Sequence, residues 1–218
     1  MRSTLVFLAC LAAALAQDPV KIHLYYETLC PYSIDFVINQ LYPTWGQLKD
    51  IMEVEMFPFG NADYAPDGNG GWTFTCQHGD GECFGNMVHA CAKHYINDIN
   101  VEMEFVNCLL SDDYPPSAGE VCSNAVGADW APIDQCVNSI EGQNLLHDVA
   151  VIQEQLDPSL HFVPWIIVND FFSEDQVTAC QTDLKSVVCN AYTGPTPAAC
   201  TSYGKYSHPS NRPKVTWS

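Results

Sequence analysis

The sequence predicts an α/β domain, one β-sheet with helices packed on it, and three observations predict it. A strand–helix–strand pattern follows the N-terminal leader. A strand–strand–helix pattern closes the chain. Between them, from about residue 60 to 140, lies a cysteine-rich stretch of short helical segments. Strands and helices in this order at both ends point to a single sheet covered by helices. The middle stretch interrupts that sheet in sequence, not necessarily in space.

The elements follow in order. Val20 to Tyr26 alternates apolar and polar residues, then turns aromatic, as a strand does. Pro31 fits just inside a helix start, where its missing N–H would be unpaired anyway. Ile34, Phe36, Val37, Ile38, Leu41 and Tyr42 recur at helical spacing, and Pro43 is expected to interrupt the helix near its end. Ile51 to Phe57 reads as a second strand. Pro58, Gly60, Pro66, Gly68, Gly70 and Gly71 mark a long loop. Phe84 to Ile99 and Met103 to Leu110 read as helices, and Asp113-Tyr114-Pro115-Pro116 breaks the run. Ile140 to Leu156 reads as an amphipathic helix with its apolar stripe at Ile140, Leu145, Val149, Ile152 and Leu156. Phe162 to Val168 is a buried strand, Asn169-Asp170 a turn, and Phe171-Phe172 the opening of a further strand. Asp175 to Asn190 is helical, and Thr193 to Cys200 is Pro-rich and irregular.

The leader and the charge set the setting. Arg2, the apolar run Leu5 to Leu15 and the small-x-small pattern Ala14-Leu15-Ala16 predict a secretory signal peptide over 1–16. The run falls short of the about 20 apolar residues that a membrane anchor needs. The expected division is a single domain over 17–200 and a basic tail over 201–218. All 26 acidic residues lie between Asp18 and Asp183, and the body from residue 17 to 200 carries only four basic residues, Lys21, Lys49, Lys93 and Lys185. Such a body repels phosphate backbones and anionic bilayers, so neither nucleic acid nor membrane insertion is expected. The tail carries Lys205, Arg212 and Lys214 and either lies on the acidic body or is simply solvated.

Cys30-Pro31-Tyr32-Ser33 is the candidate chemical element. A thiol exchanges with a disulfide only as its thiolate. At a helix start, unpaired N–H groups and the helix dipole favour that anion. In a CxxC box the second thiol, one helical turn on, resolves the mixed disulfide. Ser33 stands at that place, and oxygen forms no disulfide; its hydroxyl can only hydrogen-bond to Cys30. Losing an intramolecular attacker forfeits a large effective molarity. Eleven cysteines are present, and Cys10 leaves with the leader. The ten that remain are expected to form disulfides in an oxidising compartment, with Cys76, Cys83, Cys91, Cys108, Cys122, Cys136, Cys180, Cys189 and Cys200 as the structural set. Cys30 is then either a free thiol, which leaves a second cysteine unpaired, or a structural half-cystine.

A second cluster runs Cys76-Gln77-His78-Gly79-Asp80-Gly81-Glu82-Cys83, then Asn86 and Cys91. Cys76, His78, Cys83 and Cys91 offer zinc-type donors, with His89 and His94 nearby, but their spacing matches no compact zinc module. Disulfides are expected instead, with no metal and no cofactor. His78 and Glu82 read either as an acid–base pair or as structural residues of a disulfide loop. Tyr32 reads as a shield or contact for Cys30, or as an ordinary exposed aromatic. Trp165 reads as core.

These residues resemble the CQHGxxECxxNxxxxC signature of the gamma-interferon-inducible lysosomal thiol reductase (GILT) family. Phe162-Val163-Pro164-Trp165 and the Cys189…Cys200 pair resemble its C-terminal part, so the resemblance runs from about Val20 to Cys200. It implies a thioredoxin-like fold with a helical, disulfide-rich insertion. It also implies a cis peptide before Pro164, in a loop that faces Cys30 and receives substrate backbone. Family members reduce protein disulfides in acidic endosomes and lysosomes with a CxxC pair. Ser33 departs from that pattern, as in similar losses among arthropod GILT-like proteins. No Asn-x-Ser/Thr sequon occurs, which closes the mannose-6-phosphate route to lysosomes and favours export, an endosomal or lysosomal site remaining the alternative. Relative to the family pattern Cys180 is an extra cysteine and a candidate for the unpaired thiol.

Two functions compete. One is a thiol–disulfide oxidoreductase of this class with dithiol reductase activity absent or strongly impaired, in which Cys30 works with an outside thiol on a disulfide-bearing protein. The other is a non-catalytic module that binds a protein partner on the same scaffold.

Overall fold

The computed structural model describes residues 17–202. The expected signal peptide and nearly all of the basic tail lie outside the described residues.

The chain forms β1 (Val20–Tyr26), α1 (Pro31–Phe36), a π-helical turn (Val37–Leu41), α2 (Tyr42–Leu48) and β2 (Met52–Pro58). Helix thus continues through Pro43 instead of ending at it. The wide turn falls directly before the proline, whose ring and missing N–H disturb the regular ladder there. A hairpin follows, β3 (Asp63–Pro66) and β4 (Trp72–Thr75), where the Gly and Pro residues pointed to a long loop. Then come α3 (Asp80–Tyr95), α4 (Ile99–Leu110), α5 (Gly119–Val126), α6 (Trp130–Val137) and α7 (Ile140–Glu154), and finally β5 (Trp165–Val168) and α8 (Glu174–Ala191). Phe171 opens no strand; it makes one isolated bridge to Val168 across the Asn169-Asp170 turn, both of whose residues have positive φ.

The main sheet has the order β2-β1-β5. β1 runs parallel to β2, from Val20 opposite Met52 to Tyr26 opposite Pro58, and antiparallel to β5, with Tyr25 opposite Trp165. A parallel pair requires a crossover, which the α1–α2 helix supplies. Alternation along β1 builds two cores. Val20, Ile22, Leu24 and Tyr26 join the larger one, together with α3, α4 and α8 residues. Tyr25, Phe57, Trp165 and Ile167 form the other with Leu146, Val149 and Ala150 of α7. Both faces of the sheet are therefore covered. In α7 the buried stripe is Gly142, Leu146, Val149 and Ala150, while Ile140 and Ile152 are exposed. Apolar residues occur on more than one face of this helix, and packing chose the stripe that meets the sheet.

Among the described residues there are four disulfides: Cys76–Cys83, Cys91–Cys136 and Cys108–Cys122 staple the middle helical region, and Cys189–Cys200 ties the end of α8 to the segment after it. They use up the cysteines of the zinc reading. Cys91–Cys136 spans 45 residues and ties α3 to α6. In the chain-entropy view that loop is worth about 4 kcal/mol. Cys180, included above in the structural set, is a free thiol, buried on α8 among the larger core. His89 is buried in a core network: its Nδ1 is hydrogen-bonded with the Tyr26 hydroxyl, and its Nε2 lies 3.2 Å from Glu102 Oε1. His94 is exposed, 4.0 Å from Glu141.

α8 is bent at Asp183, whose φ of −156° is not helical. Gln40, in the π-helical turn, meets both sides of the break. Its Nε2 donates to the Thr182 carbonyl at 3.3 Å, and its Oε1 accepts from the Leu184 N–H at 3.1 Å. Asp183 then caps the second half by accepting from the Ser186 N–H at 2.9 Å. The pairs the ladder loses at the bend are made good by side chains.

Candidate active site at the Cys30 loop

β1 ends at Tyr26, and Glu27 to Leu29 lead to Cys30, which is the N-cap of α1. Pro31 occupies the first helical turn, and the Ile34 N–H donates to the Cys30 carbonyl at 3.0 Å. Cys30 is a free thiol with 6 % of its surface exposed. Its Sγ lies 4.0 Å from the carbonyl oxygen of Val163. The Val163–Pro164 peptide is cis and both residues are buried, so the loop entering β5 sits against the thiol. Tyr32, 71 % exposed, stands beside it at the surface.

Ser33 lies one helical turn after Cys30 and is fully buried. Its hydroxyl makes no hydrogen bond to the protein, so the Ser33–Cys30 bond anticipated from sequence is not formed. Burial faces this side chain into the domain, where a polar atom without a partner costs about 1–3 kcal/mol. Cys180 is 0 % exposed, and burial pushes its thiol up to about 12. It supplies neither a thiolate nor access, so it is no substitute for a resolving cysteine.

The loop that carries Cys30 is held by α3, and the residues holding it are those of the Cys76–Cys91 cluster. Asn86 Oδ1 accepts from the Thr28 N–H at 3.0 Å and lies 2.9 Å from the Thr28 hydroxyl. The same hydroxyl lies 3.3 Å from the Glu82 carbonyl. Gly85 makes this approach possible, since a Cβ there would collide with Thr28 Oγ1. Asn86 Nδ2 reaches the Phe59 carbonyl at 3.5 Å, joining the end of β2 to the same point. Glu27 is also drawn in: Asn61 N–H donates to its Oε1 at 2.5 Å. Burial pushes the Glu27 carboxyl above its usual pKa; the Asn61 N–H opposes that shift and the Glu82 charge adds to it. His78 Nδ1 lies 2.6 Å from Glu82 Oε2 and 3.3 Å from Glu27 Oε2.

The structure therefore brings Cys30, Ser33 and the Pro164 loop together at one end of β1. His78 and Glu82 contact Glu27 and Thr28 of the loop, whereas the Cys30 sulfur lies against the Val163 carbonyl. Sequence reasoning missed Glu27, Thr28 and Asn61. Glu27 stands between the expected strand, Val20 to Tyr26, and Cys30, and its partners are all distant in sequence. Trp165 is fully buried and stacks on Phe172 at 3.6 Å between ring centroids.

Comparisons with known proteins agree with this picture. The family model described as "Gamma interferon inducible lysosomal thiol reductase (GILT)" matches residues 21–126. The chain is 37 % identical over 185 residues to the gamma-interferon-inducible lysosomal thiol reductase of Carassius auratus, covering 84 % of this chain and 72 % of that one. It is 35 % identical over 221 residues to GILT-like protein 1 of Drosophila melanogaster, covering 94 % and 88 %. Among solved structures, Chlamydia trachomatis DsbA superposes with a TM-score of 0.52 at 16 % identity, over 78 % of this chain and 88 % of that one. That likeness concerns the fold, which is thioredoxin-like.

Proposed function

The chain belongs to the gamma-interferon-inducible lysosomal thiol reductase family, a family of thiol reductases acting on disulfide-bearing proteins, and from that premise we propose that it is an exported member whose dithiol reductase activity is absent or strongly impaired. The observation that carries the reading is Ser33: fully buried, one turn from a free Cys30, with a hydroxyl that no protein atom engages.

The chemistry open to such a site is monothiol exchange. The Cys30 thiolate attacks one sulfur of a substrate disulfide. A Cys30–substrate mixed disulfide forms, and the other substrate sulfur leaves as a thiolate. In a CxxC protein the second thiol then displaces the substrate from within. Here a small external thiol has to attack Cys30 Sγ, releasing the reduced substrate; a second equivalent attacks the new mixed disulfide and regenerates Cys30. Two external thiols become one disulfide, and the substrate gains two electrons. The intramolecular step is the one that gains from effective molarity, so its loss slows turnover most. Export is supported by the leader pattern at residues 1–16, the four disulfides and the missing sequon. Among the described residues no helix is long and apolar enough to cross a membrane.

Insulin-disulfide reduction tests the reading. We expect slow turnover by the wild type and a rise of at least about tenfold in Ser33→Cys, since an internal resolving thiol is restored. Fast wild-type turnover at acidic pH, unimproved by the substitution, overturns it. A second reading, protein binding without turnover, draws on the exposed Tyr32 beside the buried Pro164 loop. A partner retained equally by wild type and Cys30→Ala would favour that reading.

A further inference from the structure

Glu27 and Glu82 are both fully buried, and they face one imidazole. Each carboxylate has one oxygen fixed by a backbone N–H: Glu27 Oε1 by Asn61 at 2.5 Å, Glu82 Oε1 by His78 at 3.0 Å. The other oxygen of each points at His78 Nδ1. That nitrogen carries at most one hydrogen. At 2.6 Å it serves Glu82 Oε2, which leaves Glu27 Oε2 facing it at 3.3 Å with no hydrogen bond. A hydrogen-bonded triad therefore satisfies only two of the three groups, and it leaves a buried carboxylate oxygen without a hydrogen bond.

We propose that Glu27, His78 and Glu82 form a binding site for a divalent transition-metal ion of the zinc type. A cation satisfies all three donors at once, which a single proton cannot. The three ligand atoms lie within 4.8 Å of one another, so small side-chain adjustments bring them onto one ion. One imidazole nitrogen and two carboxylate oxygens, with a fourth position open, are a donor set that zinc accepts. The backbone N–H groups on the outward oxygens orient the carboxylates, as hydrogen bonds around metal ligands commonly do. Gly60, with φ +69°, makes room for Glu27; a Cβ there would overlap the carboxylate. The His78 side chain is 31 % exposed and gives the ion a way in from solvent.

This set differs from the cysteine-based one that the sequence offered. Cys76 and Cys83 are joined to each other, and they flank the site instead of ligating. An ion here would clamp the end of β1 to the start of α3. It would sit at the foot of the Cys30 loop, where the Cys30 N–H donates to the Glu27 carbonyl at 3.4 Å. The inference does not depend on whether Ser33 abolishes turnover.

The test uses the disulfide-intact full chain in a Cys30→Ala background, so that the thiol cannot ligate. Zinc chloride alone is titrated calorimetrically, and cobalt(II) is added in parallel for its absorption spectrum. The expected result is one equivalent bound, with affinity falling at least tenfold in Glu27→Gln and in His78→Gln. Cobalt should show ligand-field bands without thiolate charge transfer. Glu27→Gln keeps shape and removes charge, and His78→Gln alters a partly exposed side chain; far-UV circular dichroism checks that each variant is folded. Should a variant fail to fold, the comparison passes to Glu82→Gln and to protection of native protein from heat by added zinc. No saturable binding, binding indifferent to these substitutions, or the absence of any zinc-dependent rise in Tm overturns the proposal.

Discussion

The two free cysteines among the described residues occupy opposite kinds of place. Cys30 caps a helix at the end of β1, beside exposed Tyr32 and against the Pro164 loop. Cys180 sits inside α8, wholly enclosed by the larger core, with its thiol pushed up by burial. One is placed where sulfur chemistry can occur and the other where it packs as a small hydrophobe. Being unpaired is thus no sign of function by itself; location decides.

Native alkylation should separate the two most sharply. At neutral pH a thiol with a pKa of about 12 is almost entirely protonated, and enclosure bars the reagent as well. Iodoacetamide on folded protein should therefore modify Cys30 and leave Cys180 intact until unfolding, read by mass spectrometry. Equal labelling of both, or Cys30 found only in a disulfide-linked peptide, would erase the distinction and remove the thiol-exchange role.

Stability should invert the ranking. Cys180→Ser places a hydroxyl in an apolar enclosure and is expected to cost about 1–3 kcal/mol in urea unfolding, without changing thiol chemistry. Cys30→Ser should remove thiol chemistry at little cost in stability. Asn86→Ala is expected to cost about 1–3 kcal/mol, because the Thr28 N–H would lose its acceptor in a buried place; it should also loosen the Cys30 loop, seen as faster alkylation there. An alkylation rate unchanged by Asn86→Ala would show that α3 does not hold the loop. The smallest effect is expected at Ser33. Ser33→Ala removes a buried hydroxyl that has no partner and should raise stability by about 1 kcal/mol. A loss instead would mean that the hydroxyl is engaged.

Much of the fold was legible in the chain. β1, β2 and β5 showed themselves by alternation or by continuous apolar runs, and α3, α4 and α8 by periodicity, displaced by a few residues at most. The β3–β4 hairpin was hidden because each strand has four residues and Pro66, Gly68, Gly70 and Gly71 lie in or between them. Even so, the aromatic and β-branched run Trp72–Thr75 carried a strand signal. The α7 stripe was misread because packing against the sheet, not periodicity, selected it. At the site, Cys30, Ser33 and Pro164 could be named from local chemistry. Glu27 could not, since its surroundings come from Asn61, His78 and Glu82, 34 to 55 positions away. The pairing of Thr28 with Asn86 is likewise a product of three-dimensional closeness.

The anchorage of Thr28 by Asn86 has a consequence for how such chains are sorted. Along the stretch from Cys76 to Cys91, Glu82 and Asn86 hold the Cys30 loop, and the three cysteines are closed in disulfides. A chain can therefore keep this stretch while giving up the second sulfur at position 33, because the two answer to different demands. Searching by the long signature groups proteins by shared architecture. Grouping them by chemistry requires a separate look at one residue, three places after Cys30.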